Sequence, residues 1–371
     1  MRWVDGRFDF TPHPVSRVSY GRGRLAELGE ILGTLERTRA LVVTSPSVRR
    51  SGLVARAEAA LGARLAGVFD GTRPHSPVEV VREAATFAAR VGADAVVSVG
   101  GGSAIDTAKG VVHFRLEEGG PRLAHVAVPT TLSGGEFTGA AGITHGPIKR
   151  LYRGPHMPAS LVLLDPEAAA ITPLSLLLPS GLNALHHCVE GICSVRPNGM
   201  SDAMFLHAVR LLAAALPRLK ERPADLDARG EAMVGAALAA LAIPGVPMGM
   251  GHALAHAIGG RYKTPHATTH AILIAPVMRF NHDAVIAAQA SIADGLGVSD
   301  HGDPAQAARA GIDRVLSLLG ELEIPTGFAA LGVSGDEVEE VARVAMDDPC
   351  FPTNPKAASL DDVVRVVRSA L

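Results

Sequence analysis

Aromatic side chains are scarce in this chain, at 4% of residues, and they form no stacking platform. There is no run of Lys or Arg, and the formal net charge is −2. Nucleic acids and anionic membrane surfaces are recognised through basic patches, so neither is expected as a partner. Cysteine is rarer still. Cys188, Cys193 and Cys350 make no C-x-x-C pair and are too few for a disulfide framework, which suits a reducing cytoplasm. No stretch reads as long and apolar enough to span a bilayer; Met233–Ile243 is too short and reads as a buried helix. Met1–Asp5 carries no apolar core of a secretory signal, so none is expected.

What the chain does have is apolar bulk. Hydrophobic residues make up 47% of 371, enough for two cores. The first part alternates short apolar runs with helical patterns. Strands are predicted at Arg39–Thr44, Leu65–Phe69, Ala93–Val99, Leu123–Val128 and Ser160–Leu164. Helices are predicted at Gly52–Leu61, at Pro77–Val91 behind a Ser76 cap, and at Ala104–Phe114. Ala140–Tyr152 reads as a hairpin turning at His145-Gly146-Pro147. This alternation implies βαβ units and a doubly wound parallel sheet. Beyond it strand signals nearly vanish. Amphipathic patterns follow at Leu182–Val195, Asp202–Leu219, Ala228–Leu241, Gly251–Gly260, Thr269–Phe280, Pro304–Leu319, Gly335–Ala345 and Leu360–Leu371. Pro223–Asp227 and Asp347–Pro355 read as surface loops. The predicted organisation is a Rossmann-like α/β domain over 1–171 and an all-helical domain over 172–371.

Gly100-Gly101-Gly102-Ser103 follows a predicted strand and opens a helix. Glycines let the backbone approach a ligand, and a helix N-terminus attracts phosphate. A plain strand-to-helix turn needs fewer glycines, so a pyrophosphate site is the favoured reading. Ser103 and Asp106 have capping-box spacing. The run is not a G-x-G-x-x-G fingerprint, and the first predicted strand ends in Thr44-Ser45-Pro46 with no acid to grip a ribose. Thr130, Thr131 and Ser133 follow the next strand and are candidates for a second wall of a coenzyme cleft.

The helical part carries polar groups in an apolar context. Asn183 and His187 are four apart, as are His252 and His256, and His266 follows a proline. Residues four apart share a helix face, so two such faces and one incoming loop can surround a point with imidazoles. Such a pocket holds a metal or shuttles protons. A lone histidine is more often structural, and His207 and His282 are assigned to that class. His270, four after His266, is read either as a second layer or as the face of the next helix. Asn183 is an amide, a poor ligand where a dication prefers a carboxylate.

Together these segments resemble the group III, iron-containing alcohol dehydrogenase family. Its G-G-G-S-x-x-D-x-A-K pattern stands at Gly100 to Lys109. Its P-T-T segment stands, one residue shorter, at Pro129 to Glu136. D-A-L-x-H-x-x-E stands at Asn183 to Glu190, and H-x-x-x-H-x(8)-P-H at His252, His256, Pro265 and His266. The resemblance implies metal ligands, Fe or Zn, at Asn183, His187, His252 and His266. It implies a non-ligand histidine near the nicotinamide at His256, and a position near the ribose at Lys149. The Asp-to-Asn change, the shortened Thr-Thr loop and Pro265-His266-Ala267-Thr268-Thr269-His270 resemble the maleylacetate reductase branch. Members of that branch are metal-independent and reduce the C=C bond of an unsaturated oxo-diacid with NADH or NADPH. Leu132, Gly135 and Arg261-Tyr262-Lys263-Thr264 depart from the branch.

The expectation is therefore an NAD(P)-dependent oxidoreductase that reduces an unsaturated or oxo-acid in an interdomain cleft without a metal. Gly100, Gly101, Gly102, Ser103, Asp106, Thr130, Thr131, Ser133 and Lys149 would bind the coenzyme. His187, His252, His256 and His266 would be catalytic, with Lys263 and Arg150 secondary. The expected partners are a small-molecule carboxylate and a second copy in a homodimer. The rivals are a metal-dependent alcohol or aldehyde dehydrogenase, a dehydroquinate synthase-like lyase, and an inactive assembly protein.

Overall fold

A computed structural model of the chain describes residues 10–12, 15–146, 148–298 and 302–371. The expectations for Met1–Asp5 and for the Pro147 corner of the hairpin lie outside these residues. The chain divides into two compact units, with the border between Pro173 and Leu174. This lies two residues past the expected 171/172 boundary, because the proline precedes the first long helix. Residues 10–12 group with the helical unit, where a side chain on Gly245 would meet the Phe10 ring.

The first unit runs β1 (Arg17–Tyr20), α1 (Leu28–Gly33), β2 (Ala40–Val43), α2 (Pro46–Arg50), α3 (Leu53–Leu61), β3 (Leu65–Phe69), α4 (Val78–Arg90), β4 (Ala95–Gly100), α5 (Gly102–Glu117), β5 (Ala124–Pro129), β6 (Ala140–His145), β7 (Ile148–Arg153), β8 (Leu161–Leu164) and α6 (Pro166–Ala169). Six strands pair in parallel in the order β1-β8-β5-β4-β2-β3. Every residue of β2, β4, β5 and β8 is buried, as a sheet covered on both faces requires. Val97 and Val128 pack with Leu28 and Val54 on one face. Val96 and Leu41 pack with Val81 and Val111 on the other. β6 and β7 form the expected antiparallel hairpin.

Two local expectations fail here. Ser76 does not cap α4: it has a positive φ of 46°, Pro77 takes the cap position, and the Ser76 hydroxyl donates to the Ser103 carbonyl. Ser103 and Asp106 form no capping box, because α5 already starts at Gly102 and its cap is Gly101. The Asp106 carboxylate instead accepts from the Gly142 N–H at 3.2 Å, bracing the hairpin.

The second unit contains α7 (Leu174–Ile192), α8 (Gly199–Glu221), α9 (Leu226–Ala242), α10 (Met250–Tyr262), α11 (His266–Asn281), α12 (Ile286–Gly295), α13 (Pro304–Glu321), α14 (Val338–Met346) and α15 (Leu360–Arg368). Contrary to expectation, α8 is long and apolar enough by composition to cross a membrane. Its stripe of Phe205, Val209, Leu212, Leu216 and Leu219 is buried within the protein. Of the expected surface loops, Pro223–Asp227 ends in the cap and first turn of α9. Asp347–Pro355 is not merely surface. Asn354 is buried, exchanges hydrogen bonds with the Asn281 amide and accepts from the Met250 N–H that opens α10.

Candidate functional site

In the α/β unit, the predicted phosphate segment closes β4 and opens α5. Gly100 has φ +148°, a conformation that favours glycine. Gly101 is needed for space: a Cβ there would stand 2.7 Å from Thr131 Cγ2. A Cβ on Gly102 would stand 3.6 Å from the Ser133 hydroxyl. The start of α5 and the Thr130–Ser133 loop thus approach across a glycine floor. Thr130 is anchored by its N–H to the Gly100 carbonyl at 3.0 Å. First-turn amides above an open floor fit a coenzyme pyrophosphate. The Val48 side chain stands 3.7 Å from a Cβ on Gly100, so the β2–α2 turn lies beside this floor. Thr72, which the sequence reading passed over, follows β3. Its hydroxyl is buried without a partner, and its N–H donates to the Thr44 carbonyl.

Beneath the loop lies Lys109, fully buried. Its ammonium donates to the carbonyls of Gly135, Thr138 and Ala140 and to the Thr138 hydroxyl. Burial pushes it down to about 8, against the pull of Asp106 and Glu136. Burial likewise pushes the Glu136 carboxyl up to about 7 and raises Asp106. Lys149 lies on β7, with its side chain packed over Gly142.

In the helical unit, α7, α10 and α11 bring six imidazoles together. α7 supplies His186 and His187, α10 supplies His252 and His256, and α11 supplies His266 and His270. Ring centroids lie 5.1 Å apart for His187–His252, 4.6 Å for His252–His270, 4.4 Å for His266–His270 and 6.4 Å for His256–His266. His186 and His270 are fully buried, while His256 and His266 are exposed at the rim. His266 does not come from a loop. It is the first residue of α11 behind Pro265, which puts His270 one turn further on the same face. Arg261 is taken by an ion pair with Glu337, and Lys263 ends α10 in a left-handed conformation.

Three further residues build this site. His186 joins its Nδ1 to that of His270 at 2.8 Å. Glu190, one helical turn after His186, accepts from the N–H groups of Gly251 and His252 and from the His252 ring. Burial alone would raise this carboxyl; the His252 charge and hydrogen bond hold it at about 2. Asp348, from the supposed surface loop, accepts from His256 Nδ1 at 2.8 Å. Burial opposes the charge of Asp348, but His256 and the Cys350 N–H keep it at about 2.

The donors of the predicted metal site do not converge as expected. Among the described residues, the inner trio with ligand atoms within 4.8 Å of one another is His186, His252 and His270, not the quartet Asn183, His187, His252 and His266. The Asn183 amide oxygen and His187 Nδ1 are buried without partners. Burial disfavours charge on His186, His187 and His270, Asn183 is an amide, and the one adjoining carboxylate, Glu190, is already used by α10. This set lacks the charge that offsets an iron dication.

Burial pushes His186 down to about 4 and drives His187 and His270 well below the ordinary 6.5. In the unfolded chain these rings protonate near 6.5, whereas the fold resists the proton. Their contribution to stability is thus whole above 6.5 and is lost as the pH falls through 6.5 toward about 4. The melting temperature is expected to fall steeply across that window. Thermal melts that stay level there would contradict the buried, neutral assignment.

Known proteins match both units. Residues 15–166 match the iron-containing alcohol dehydrogenase family model, and residues 178–371 its C-terminal counterpart. The chain is 34% identical over 349 residues to a maleylacetate reductase from Burkholderia cepacia, covering 94% of each. It is 35% identical to maleylacetate reductase 2 from Cupriavidus pinatubonensis, covering 98% of this chain and 96% of that one. The crystal structure of maleylacetate reductase from Agrobacterium tumefaciens superposes with a TM-score of 0.87 at 30% identity, covering 98% of both. The chain therefore belongs to the iron-containing alcohol dehydrogenase family, in its maleylacetate reductase branch, and is an oxidoreductase.

Proposed function

We propose that this enzyme reduces a small unsaturated or oxo-acid with NADH or NADPH and needs no bound metal. The observation that carries the reading is a pocket of imidazoles whose buried members, His186, His187 and His270, resist protonation, with an amide, Asn183, at the family's charged-ligand position. The names of its relatives support the substrate class. A bound dihydronicotinamide supplies the hydride. The protein's own part is to bind, orient and protonate. Gly101, Gly102 and Ser103 hold the pyrophosphate, and Thr130, Thr131 and Ser133 wall it. Glu190 fixes the His252 ring. His256, whose Nδ1 faces Asp348, presents Nε2 as the proton donor. Cationic or hydrogen-bonding rings at the rim favour a carboxylate, which gains charge-assisted hydrogen bonds that a neutral alcohol lacks. Three cysteines outside any disulfide among the described residues suit the cytoplasm, and a homodimer is the proposed assembly.

The convergent nitrogens of His186, His252 and His270 favour a second reading, a metal-dependent dehydrogenase. Chelator-treated enzyme decides between them. It is expected to keep its turnover, with oxo-acids outpacing every simple alkyl aldehyde. Stoichiometric metal lost together with activity, or faster aldehyde reduction, would sink the proposal. The same assay reads coenzyme choice. Ser45 caps α2 and stands 2.9 Å from the Ser47 hydroxyl, so no carboxylate there repels a 2′-phosphate. NADPH and NADH are expected within about tenfold, about 1.4 kcal/mol.

A further inference from the structure

Outside the inner trio, a second set of donors meets at the rim. His256, Asp348 and Cys350 bring a ring nitrogen, a carboxylate oxygen and a sulfur within 4.8 Å of one another. We propose that these three residues form a binding site for Zn2+, and that the ion inhibits the enzyme when it sits there.

The donor chemistry distinguishes this cluster from the inner one. A thiolate and a carboxylate carry two negative charges, which offset the dication, and imidazole completes a mixed N, O, S set that Zn2+ accepts. Zinc bonds of about 2.0–2.3 Å in a tetrahedron place donor atoms about 3.3–3.8 Å apart. His256 Nδ1 and Asp348 Oδ2 stand at 2.8 Å, so the pair opens by only about half an ångström to admit the ion. The three donors come from two elements that are tied together. Asp348 Oδ1 accepts from the Cys350 N–H at 2.8 Å, and the Phe351 N–H donates to the Asp348 carbonyl at 2.9 Å. The Thr353 hydroxyl donates to the Met248 carbonyl at 2.6 Å, and Asn354 accepts from the N–H of Met250, so the loop is pinned at the start of the helix that bears His256. The site is also reachable, because the His256 side chain is 46% exposed and Cys350 is partly exposed. Water is free to fill the fourth position.

Binding displaces the Cys350 thiol proton to solvent; the His256 Nδ1 proton moves to Nε2 in a neutral ring and leaves to solvent only from an imidazolium. The imidazole then carries zinc on Nδ1 and a fixed proton on Nε2. It no longer cycles between acid and base, so turnover stops. This consequence rests on the reading of His256 as proton donor; the site itself does not.

Chelator-stripped full-length protein titrated with Zn2+, and separately with Co2+ as a spectroscopic probe, tests both. Wild-type protein is expected to lose turnover as Zn2+ is added. With Co2+ it should develop a thiolate-to-cobalt charge-transfer band. Cys350→Ser should keep the basal turnover, lack that band, and need at least about tenfold more Zn2+ for the same inhibition, the lower end of what even outer-shell changes cost a metal site. His256→Ala, shown folded by its melt, should lose the band as well. Equal Zn2+ sensitivity in wild type and Cys350→Ser, or bound Co2+ without the band, overturns the site. A thiolate band with turnover undiminished overturns the role of His256 in proton delivery and leaves the site standing.

Discussion

Replacing His256 by Ala is expected to lower turnover by about 10²-fold while leaving the melting temperature close to that of the wild type. The ring lies at the exposed rim of the imidazole cluster, so little packing is lost with it. What is lost, on the proposed reading, is the proton donor that Asp348 orients through Nδ1. His266→Ala, also exposed, should behave similarly. His252→Ala should not leave the fold untouched. That ring is 8% exposed and is hydrogen-bonded to the buried Glu190. Deleting it leaves the buried carboxylate with only two backbone N–H partners and no ring, at a cost of about 3–5 kcal/mol. Steady-state rates set beside thermal melts separate the two kinds of loss. If His256→Ala and His266→Ala both turn over near the wild-type rate, the proton-delivery reading fails.

This division between rim and base was only partly visible in the sequence. The i,i+4 spacing of Asn183 with His187 and of His252 with His256 was enough to expect a shared pocket. His186 and Glu190 have the same spacing, yet adjacent histidines on one helix point to different faces, and spacing alone does not say which face turns inward. Asp348 meets His256 across 92 residues, so no local pattern carries that contact. The sheet shows the same contrast. Its central strands are continuous apolar runs because both faces are covered, and their positions follow directly. β1 is an edge strand, Arg-Val-Ser-Tyr, with only Ser19 buried, so it leaves no apolar signature. Ser103 and Asp106 misled because capping-box spacing also occurs one step inside a helix that has already begun at Gly102.

Lys109→Met should cost the α/β unit about 3–5 kcal/mol, because it removes one partner from a buried network of charges. Met reproduces the volume of the lysine stem, so little apolar packing changes. The carbonyl oxygens of Gly135, Thr138 and Ala140 each lose the ammonium, Gly135 keeping the Thr138 N–H and hydroxyl and Ala140 the Thr138 hydroxyl. Asp106 and Glu136 lose the cation that draws both carboxyls down against the raising effect of burial. Buried groups left unpaired are what make such deletions expensive, more than the loss of the bond itself. For a unit of this size the shift in melting temperature is roughly 6–20 °C. The same ammonium fixes the chain at Gly135–Ala140, immediately after the Thr130–Ser133 wall. The coenzyme KM should therefore rise well beyond any change in kcat measured at saturating coenzyme. Calorimetry and coenzyme titration at a temperature where the variant is fully folded separate the two effects. A variant that melts within a degree or two of wild type would show that the loop does not depend on Lys109.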